Sequence, residues 1–228
     1  MHTAPKPPAG PGPGRPKSQK KRLAILAAAK RLFLQAGFDG TSVEQIAAAA
    51  GVSKLTVYSH FKDKEGLFFT AIEEQCREQL PDDVFAMPRA IPVERALGEI
   101  GRRFHALLAS DDSIALHRMM IGDARNAERL GPLFWNAGAA RVLAGLETFL
   151  KAAAARGELA IADPREAASQ FLVLLKGEIN LRMLCGPSGC LHGDDVDAYV
   201  DAVVRLFLRA YASKADQGGG AVSSLASR

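Results

Sequence analysis

Apolar residues recur every three or four positions along most of the chain, which is the pattern of amphipathic α-helices. Ile25, Leu26, Ala29, Leu32 and Phe33 begin this pattern, and Pro or Gly residues interrupt it at intervals. Nowhere do four or more residues alternate between apolar and polar with an enrichment in β-branched residues, so no strand is predicted. The pattern predicts an all-α protein with about nine helices.

Three helices are predicted near the N-terminus. The first runs from beyond Ser18 to Ala36, and the second covers residues 43–50 with caps offered by Thr41 and Ser42. The third covers residues 54–60 and is capped by Ser53. Gly51 and Val52 lie between the last two helices, where glycine permits a tight turn at no steric cost. This succession predicts a helix-turn-helix.

The remaining helices suggest a larger second domain. They are predicted at residues 64–80, 92–109, 112–125, 132–156, 164–184 and 194–213, and each is bounded by Pro, Gly or Asp. We therefore expect a disordered basic arm at residues 1–17, a helix-turn-helix domain at 18–66, a helical regulatory and dimerisation domain at 67–213 and a disordered tail at 214–228.

Positive charge is concentrated at the N-terminal end of the chain. Through Gly66 there are 11 Lys and Arg against 4 Asp and Glu, whereas the rest of the chain has 18 against 21. Such asymmetry favours contact between the N-terminal quarter and a polyanion, although solvated surface charge is the alternative interpretation.

The composition argues against several classes of protein. No apolar run is long enough to span a membrane, and the Pro/Gly-rich start is unlike a secretory signal, so we expect a cytoplasmic protein.

The signature motifs of hydrolases, nucleotide-binding enzymes and metalloproteases are missing, which predicts that the chain is not an enzyme and needs no cofactor. His105 and His117 are predicted on separate helices without partner ligands, so no metal site is expected. Cys185 and Cys190 flank a Gly-Pro loop, where both free thiols and a redox pair stay open.

The polar outer face of the third helix suggests the reading of DNA bases. Short hydroxyl and amine side chains reach base edges in the major groove, and phosphate contacts are expected from residues around that helix. The candidates for base contacts are Lys54, Thr56, Ser59 and His60. The candidates for phosphate contacts are the free backbone amides near Thr41 and Ser42, the phenol of Tyr58, and Lys62 and Lys64. Arg15, between Gly14 and Pro16, suits a narrow minor groove, although a solubilising arm is equally consistent with its setting.

Three stretches of the N-terminal domain resemble a known family. TSVEQIA (residues 41–47), AGVSK (50–54) and TVYSHFKDKEGL (56–67) look like the DNA-binding domain of TetR/AcrR-type regulators. The resemblance implies a dimeric repressor that releases its operator when a ligand binds the C-terminal domain. It also implies DNA contacts by Thr41, Ser53, Lys54, Thr56, Tyr58, His60 and Lys64. Leu55 stands where this family commonly has a small residue, and it offers an apolar contact to a thymine methyl group.

The C-terminal part is similar to the AefR-like branch of this family. The similarity rests on RMMIGDA (residues 118–124), LFW (133–135), Gly138, GEL (157–159) and Asp163-Pro164. It implies a homodimer in which residues 165–184 and 194–211 pair with their copies as four helices. The apolar faces of these helices are broader than one covered side requires, because they include Phe171, Leu172, Leu174, Leu175, Ile179, Tyr199, Val203, Leu206, Phe207 and Leu208.

A small-molecule pocket is expected between the remaining helices of the second domain. Its candidate lining consists of large or adaptable side chains, namely Phe104, His105, Leu108, Met119, Met120, Phe134, Trp135 and Phe149. Residues at such spacing are also typical of an ordinary core, and that alternative stays open. His117, Glu178, Asn180 and Arg182 are candidates for polar specificity, with surface or intersubunit bonding as the other interpretation.

Two other functions compete with ligand-responsive regulation. An enzyme would need a catalytic signature, which the sequence does not contain. An architectural protein that reads DNA shape through Arg15 would bind no palindrome, whereas a dimeric helix-turn-helix predicts half-sites about 34 to 36 Å apart. The favoured interpretation is a regulator that binds a palindromic operator and a small apolar effector.

Overall fold

The computed structural model describes residues 15–122, 124–186 and 193–212. Over these ranges it has no β-strand, and Leu159 and Ala212 form one isolated antiparallel bridge, so the all-α prediction is confirmed. The helices are α1 (Arg15–Ala36), α2 (Val43–Ala49), α3 (Lys54–His60), α4 (Lys64–Gln79), α5 (Val93–Ala109), α6 (Asp111–Gly122), α7 (Ala127–Phe134), α8 (Ala140–Ala155), α9 (Pro164–Cys185) and α10 (Gly193–Tyr211). No helix in the described ranges combines the length and the apolar character that crossing a membrane requires.

The chain divides into two compact units, Met1–Phe68 and Phe69–Arg228. The boundary lies within α4, two residues after the predicted domain boundary. Helix α1 begins at Arg15. The last three residues of the predicted disordered arm are therefore helical, because Pro16 is accommodated in the first turn, where a backbone N–H has no helical partner.

Aromatic side chains form the centre of the first unit. Phe33 and Phe38 stack with ring centroids 5.7 Å apart, and Phe68 packs edge-on against them at 5.2 and 5.3 Å. Ile25 and Ile46 are fully buried in the same unit. Residues from α1, the α1–α2 loop, α2 and the start of α4 thus share one core, which fixes the short helices that could not persist alone.

Helices α5, α8, α9 and α10 supply most of the core of the second unit. Fully buried residues include Leu97, Leu146, Phe171 and Phe207, and the rings of the last two meet at 4.9 Å. Arg141, of which 13% is exposed, donates hydrogen bonds to the carbonyl oxygens of Cys76 (3.2 Å) and Leu80 (2.7 Å). The guanidinium thereby adds hydrogen bonds at the end of α4, where the carbonyl of Cys76 also accepts from the N–H of Leu80.

One helical stretch departs from its predicted start. A helix was expected to begin at Pro132, but α7 begins at Ala127 and Pro132 lies inside it. Its backbone continues through a π-helical turn, Trp135–Ala139, into α8, so α7, this turn and α8 form one unbroken stretch. Counted this way, and with α9 taken as one helix, the described residues form nine α-helical stretches, which agrees with the prediction of about nine. Pro132 has no backbone N–H and so removes one hydrogen bond from this helix. The π turn that follows is of a kind often found at functional sites.

Helix α9 is interrupted at Gly177. This residue has φ +46° and ψ −158°, a left-handed conformation that favours glycine. A Cβ atom there would lie 2.1 Å from the hydroxyl oxygen of Tyr199. The close approach of α10 and the positive φ both require glycine at this point, which divides α9 into two segments.

Candidate DNA-binding surface and ligand cavity

A tight turn holds α3 against α2. Gly51 has φ +65°, the N–H of Val52 donates to the carbonyl of Ala47 (3.0 Å), and the Ser53 hydroxyl accepts from the N–H of Thr56 (3.1 Å). At the other end of α2, Ser42 and Gln45 form a reciprocal capping box. Local hydrogen bonds thus cap the start of α2 at Ser42 and the start of α3 at Ser53, as the sequence predicted.

The outer face of α3 lies on the surface of the first unit. Val57 is buried, whereas Leu55 is 78% exposed and Tyr58 is 43% exposed. The structure brings together eight of the predicted DNA contacts on this helix and just after it, all at least partly exposed: Ser53, Lys54, Leu55, Thr56, Tyr58, Ser59, His60 and Lys62. An exposed leucine of this size on a short helix is available for contact with an apolar group.

The hydroxyl groups of this face are linked to one another. Ser53 Oγ lies 2.9 Å from Thr56 Oγ1, and the Ser59 hydroxyl donates to the carbonyl of Thr56 (2.7 Å). Each hydroxyl oxygen retains lone pairs that can accept a hydrogen bond. The face therefore presents oriented polar groups instead of freely rotating ones.

Lys54 forms an ion pair with Glu44 of α2. The hydrogen bond from the Lys54 ammonium group is the main reason that the pKa of the Glu44 carboxyl is lowered. Lys54 Nζ also lies 5.7 Å from the ring centroid of Tyr58. Both side chains of the ion pair are well exposed, so a DNA phosphate or base would compete with Glu44 for this cation.

The side chain of Thr41 is buried in the first unit, so a phosphate contact at this point is left to the backbone N–H groups at the start of α2, where it stays a prediction. The residue is 1% exposed. Its hydroxyl lies 3.0 Å from the carbonyl oxygen of Leu32 and 2.8 Å from that of Gly37. Since a carbonyl only accepts, the Thr41 hydroxyl is the donor to the end of α1 and the following loop, and its role there is structural.

Lys64 makes contacts within the first unit, and its phosphate contact stays a prediction. Its ammonium group donates to the carbonyl oxygens of Phe38 (2.9 Å) and Thr41 (3.0 Å). The same nitrogen lies 4.2 Å from the centroid of the Phe38 ring. The side chain joins the start of α4 to the α1–α2 loop, and these contacts explain its position without DNA.

Arg15 is the last of the predicted DNA contacts. Its backbone begins α1, whereas its side chain lies outside the described residues. The backbone is therefore helical at this residue, which corrects the expectation of an extended arm up to Lys17.

A cavity of about 330 Å³ lies within the second unit. Helices α4, α5, α6, α7, α8 and α9 contribute to its wall together with the π turn. Its apolar lining is formed by Ile72, Phe104, Leu107, Leu108, Leu116, Phe134, Trp135, Val142, Leu143, Leu172 and Val173. A volume near the lower end of the range of about 300 to 1,000 Å³ suits a small organic molecule.

A few polar groups interrupt this apolar wall. They belong to Gln75, Ser113, His117, Ser169 and Lys176. Gln75 is 6% exposed, and its Oε1 atom is buried without a hydrogen-bond partner among the described residues. His117 packs edge-on against Phe134, with ring centroids 5.1 Å apart, and burial is the main cause of its lowered pKa.

Cys76 also lines the cavity. Burial raises the pKa of its thiol, which is therefore a weak nucleophile at neutral pH. Cys185 is exposed, and Cys190, its predicted partner in the redox alternative, lies outside the described residues. Over the described ranges, no three His, Cys, Asp or Glu side chains are grouped so that they could hold a metal ion.

The structure brings together four of the eight predicted ligand contacts. Phe104, Leu108, Phe134 and Trp135 line the cavity. The other four do not line it: His105 and Phe149 are buried away from the cavity, and Met119 and Met120 are partly buried on α6. Helical spacing identifies the inward side of a helix, but it does not tell a cavity wall from a filled core.

Gln75 is the lining residue with a buried, unpartnered polar atom that the sequence analysis missed, and apolar lining residues such as Ile72 and Leu116 were missed as well. It follows Phe68, Ala71 and Ile72 at intervals of three or four residues, so it occupies a position on the buried stripe of α4. A polar residue within such a stripe was the available signal. Of the predicted polar candidates, His117 lines the cavity, whereas Glu178, Asn180 and Arg182 do not.

Helices α9 and α10 have fewer exposed apolar side chains available for a dimer interface than the sequence suggested. Phe171, Leu172, Leu175, Ile179, Val203 and Phe207 are all buried within the chain. Their burial explains most of the breadth of the apolar faces. The large apolar side chains that stay exposed on these helices are Val173 (63%), Leu181 (63%) and Leu206 (50%).

Two family models match the chain. The model described as bacterial regulatory proteins of the tetR family matches residues 25–71, and the model described as the AefR-like transcriptional repressor C-terminal domain matches residues 95–213. Both agree with the resemblances found in the sequence.

The curated relatives match only part of the chain. The transcriptional regulator AcrR of Shigella flexneri is 51% identical over 51 residues, which is 22% of this chain and 24% of that protein. For this and the next two curated relatives, the matched part spans about a quarter to a third of their own length.

Solved structures match over most of the chain. A TetR-family regulator from Mesorhizobium loti has a TM-score of 0.75 at 31% identity, covering 86% of this chain and 98% of its own. The flavonoid-responsive regulator FrrA has a TM-score of 0.71 at 31% identity, covering 86% and 99%. Both units therefore have counterparts in known regulators.

Proposed function

Because the chain belongs to the TetR family of bacterial transcriptional regulators, we propose that it represses transcription from an operator bound by α3 and leaves it when an effector binds the second unit. Membership of this family confirms the prediction that the chain is a regulator and not an enzyme. The observation that carries the proposal is the exposed, polar outer face of α3 on a tightly capped turn. Such a regulator acts at the chromosome, and we place it in the cytoplasm.

The residues of α3 divide into two kinds of contact. Thr56, Ser59 and His60 would reach base edges in the major groove, and Leu55 would meet a thymine methyl group. Tyr58 and Lys62 would contact phosphate oxygens, which position the helix but carry no sequence information. The strong exposure of Leu55 supports its assignment, because an apolar side chain left in water gains from contact with a methyl group.

A homodimer would present two copies of α3 to the operator. We propose that α9 and α10 form its interface, as the family resemblance implies. Val173, Leu181 and Leu206 support this, because these exposed apolar side chains would be removed from water in a dimer. Two-fold symmetry predicts an inverted repeat with half-sites about 34 to 36 Å apart.

The cavity of the second unit would hold the effector. Its apolar and aromatic lining favours a small, largely apolar molecule. The similarity to a flavonoid-responsive regulator supports a planar one. We propose that α4 transmits the effect of effector binding to the DNA-binding unit. This one helix contains both Lys64, which is hydrogen-bonded within the first unit, and Gln75, which lies in the cavity wall. Release requires that the effector binds the operator-free state more tightly than the operator-bound state.

Selection from random duplex DNA tests this function. The full chain is incubated with the duplex pool at a stated moderate salt concentration, because affinity depends strongly on ionic strength. Enrichment of an inverted repeat is the expected result, and it supplies the operator for measurements with candidate effectors. Enrichment of A·T-rich DNA without a repeat would favour the architectural alternative instead.

A further inference from the structure

The polar groups of the cavity point to one class of effector. We infer that the effector is a planar aromatic molecule that carries hydroxyl groups, and that Gln75 and His117 recognise those hydroxyls. This inference rests on the proposed function, because it concerns the molecule that the cavity binds. It adds the chemical feature that separates the effector from other apolar compounds of similar size.

Gln75 supplies the first recognition group. Its side chain is buried in the cavity wall, and Oε1 has no hydrogen-bond partner among the described residues. A buried acceptor without a partner is unfavourable, so a ligand that donates to it binds better than an analogue that cannot. A hydroxyl is both donor and acceptor, and it therefore suits either orientation of the Gln75 amide.

His117 supplies the second group. Its Nδ1 lies 2.7 Å from the carbonyl oxygen of Ser113, which can only accept, so Nδ1 carries the proton. In a neutral ring Nε2 is then an acceptor. Burial is the main cause that lowers the pKa of His117, and it outweighs the hydrogen bond to Ser113, which raises that pKa. The charge of Lys176 adds to the lowering, so the neutral ring is favoured at pH 7. Gln75 and His117 thus both offer hydrogen-bond acceptors in one cavity, which favours a ligand that carries hydrogen-bond donors.

The rest of the lining argues against charged ligands. It contains no Asp or Glu among the described residues, so an ammonium group would find no counterion. A carboxylate cannot donate to Gln75 or His117, and its possible partner is Lys176, whose side chain is exposed. Phe104, Phe134 and Trp135 favour a flat aromatic framework over a flexible chain.

Trp135 allows direct measurement of binding. It is the single tryptophan of the chain, and it lines the cavity. Quenching of its fluorescence by a dihydroxyflavone, by unsubstituted flavone and by a carboxyflavone of the same framework gives three affinities for the full chain. We expect the dihydroxyflavone to bind at least about tenfold more tightly than flavone, because flavone leaves buried polar groups unpaired.

Two substitutions assign this preference to the named residues. In the double variant Gln75→Leu/His117→Phe, we expect the affinity ratio of dihydroxyflavone to flavone to fall to about one, with flavone bound as well as before. Lys151→Gln is the control, because Lys151 is exposed on α8 and does not line the cavity, so this variant should preserve the ratio. Thermal unfolding of each variant shows whether it is folded.

Several results would overturn the inference. They are equal affinities of the unaltered chain for flavone and dihydroxyflavone, no quenching by any of the three compounds, tightest binding of the carboxyflavone, or an unchanged ratio in the double variant. Operator release is measured separately. Hydroxyl-dependent binding without release would contradict the proposed function alone, whereas release by a ligand without hydroxyl preference would contradict this inference alone.

Discussion

The hydroxyl of Tyr199 on α10 donates a hydrogen bond to the backbone carbonyl of Leu174 on α9, at 2.5 Å. Gly177 adopts its left-handed conformation three residues later, where the regular hydrogen-bond ladder of α9 is interrupted. Tyr199 thereby satisfies a carbonyl group beside the interruption and passes through the space that a side chain at residue 177 would need.

Replacement of Gly177 by alanine should destabilise the second unit. The added methyl group would clash with the Tyr199 hydroxyl, and alanine is strained at this φ, so we expect a loss of about 1–3 kcal/mol or more in the free energy of unfolding. Chemical denaturation measures it. Gly131→Ala in α7 is the control, because nothing lies within 4 Å of its new methyl group. That variant should be equally or more stable, and an equal loss in both variants would refute the role given to Gly177.

Lys64 and the exposed Lys62 should differ when each is replaced by methionine. Lys64→Met removes two hydrogen bonds to carbonyl oxygens, and we expect a loss of about 1–3 kcal/mol in the free energy of unfolding. Lys62→Met should leave the free energy of unfolding unchanged. It should reduce the slope of log binding constant against log salt concentration by about 1, the value expected for the loss of one phosphate contact. Denaturation and binding titrations over a salt series measure both effects. The opposite assignment of effects would show that Lys64 is the phosphate contact.

Thr56 and Tyr58 should affect operator binding in different ways. Thr56→Ala removes a group proposed to read a base, so it should relax preference at particular base pairs by about 1–3 kcal/mol. Tyr58→Phe removes a proposed phosphate contact and should weaken binding to all sequences alike. Binding to the selected operator and to its single-base variants distinguishes the two patterns, and their reversal would contradict the roles given above.

Leu181→Glu should shift the protein from dimer to monomer. The substitution places a charge on an exposed apolar position of the proposed interface, where burial of an unpaired charge is unfavourable. Ile121→Glu is the matched control, because Ile121 is 70% exposed on α6, outside that interface. Sedimentation velocity should show a lower dimer fraction for the first variant alone. An unchanged dimer in both would exclude this part of α9 from the interface.

The stability of the chain should decrease as the pH falls below about 6.5, the ordinary pKa of histidine. Burial lowers the pKa of both His105 and His117 in the folded chain, so the unfolded chain takes up protons first. The contribution of the two buried, neutral histidines to the free energy of unfolding is complete above pH 6.5. It is lost as the pH falls through their lowered pKa values in the folded chain. His117→Phe should reduce the loss between pH 7 and pH 5, as measured by denaturation at each pH. An identical pH dependence in the variant would contradict this account.

The sequence by itself determined the features that depend on neighbouring residues. The caps at Ser42, Ser53 and Asp163 and the turn at Gly51 follow from hydrogen bonds and backbone preferences within a few positions. The size of their side chains on predicted helices likewise identified Phe104, Leu108, Phe134 and Trp135 as candidates for the cavity wall. The helix-turn-helix and a minor part of the cavity wall could therefore be predicted.

Only the tertiary structure decided how residues far apart in the chain are used. Lys64 binds carbonyl groups 23 and 26 residues away, and Thr41 binds one that is nine residues away. The Gly177 interruption depends on Tyr199 of another helix. The unpartnered acceptor atom of Gln75 depends on how six helices and the π turn pack around the cavity. Periodicity identifies which side of a helix faces inward. Packing between helices determines which inward groups meet a partner and which border a cavity.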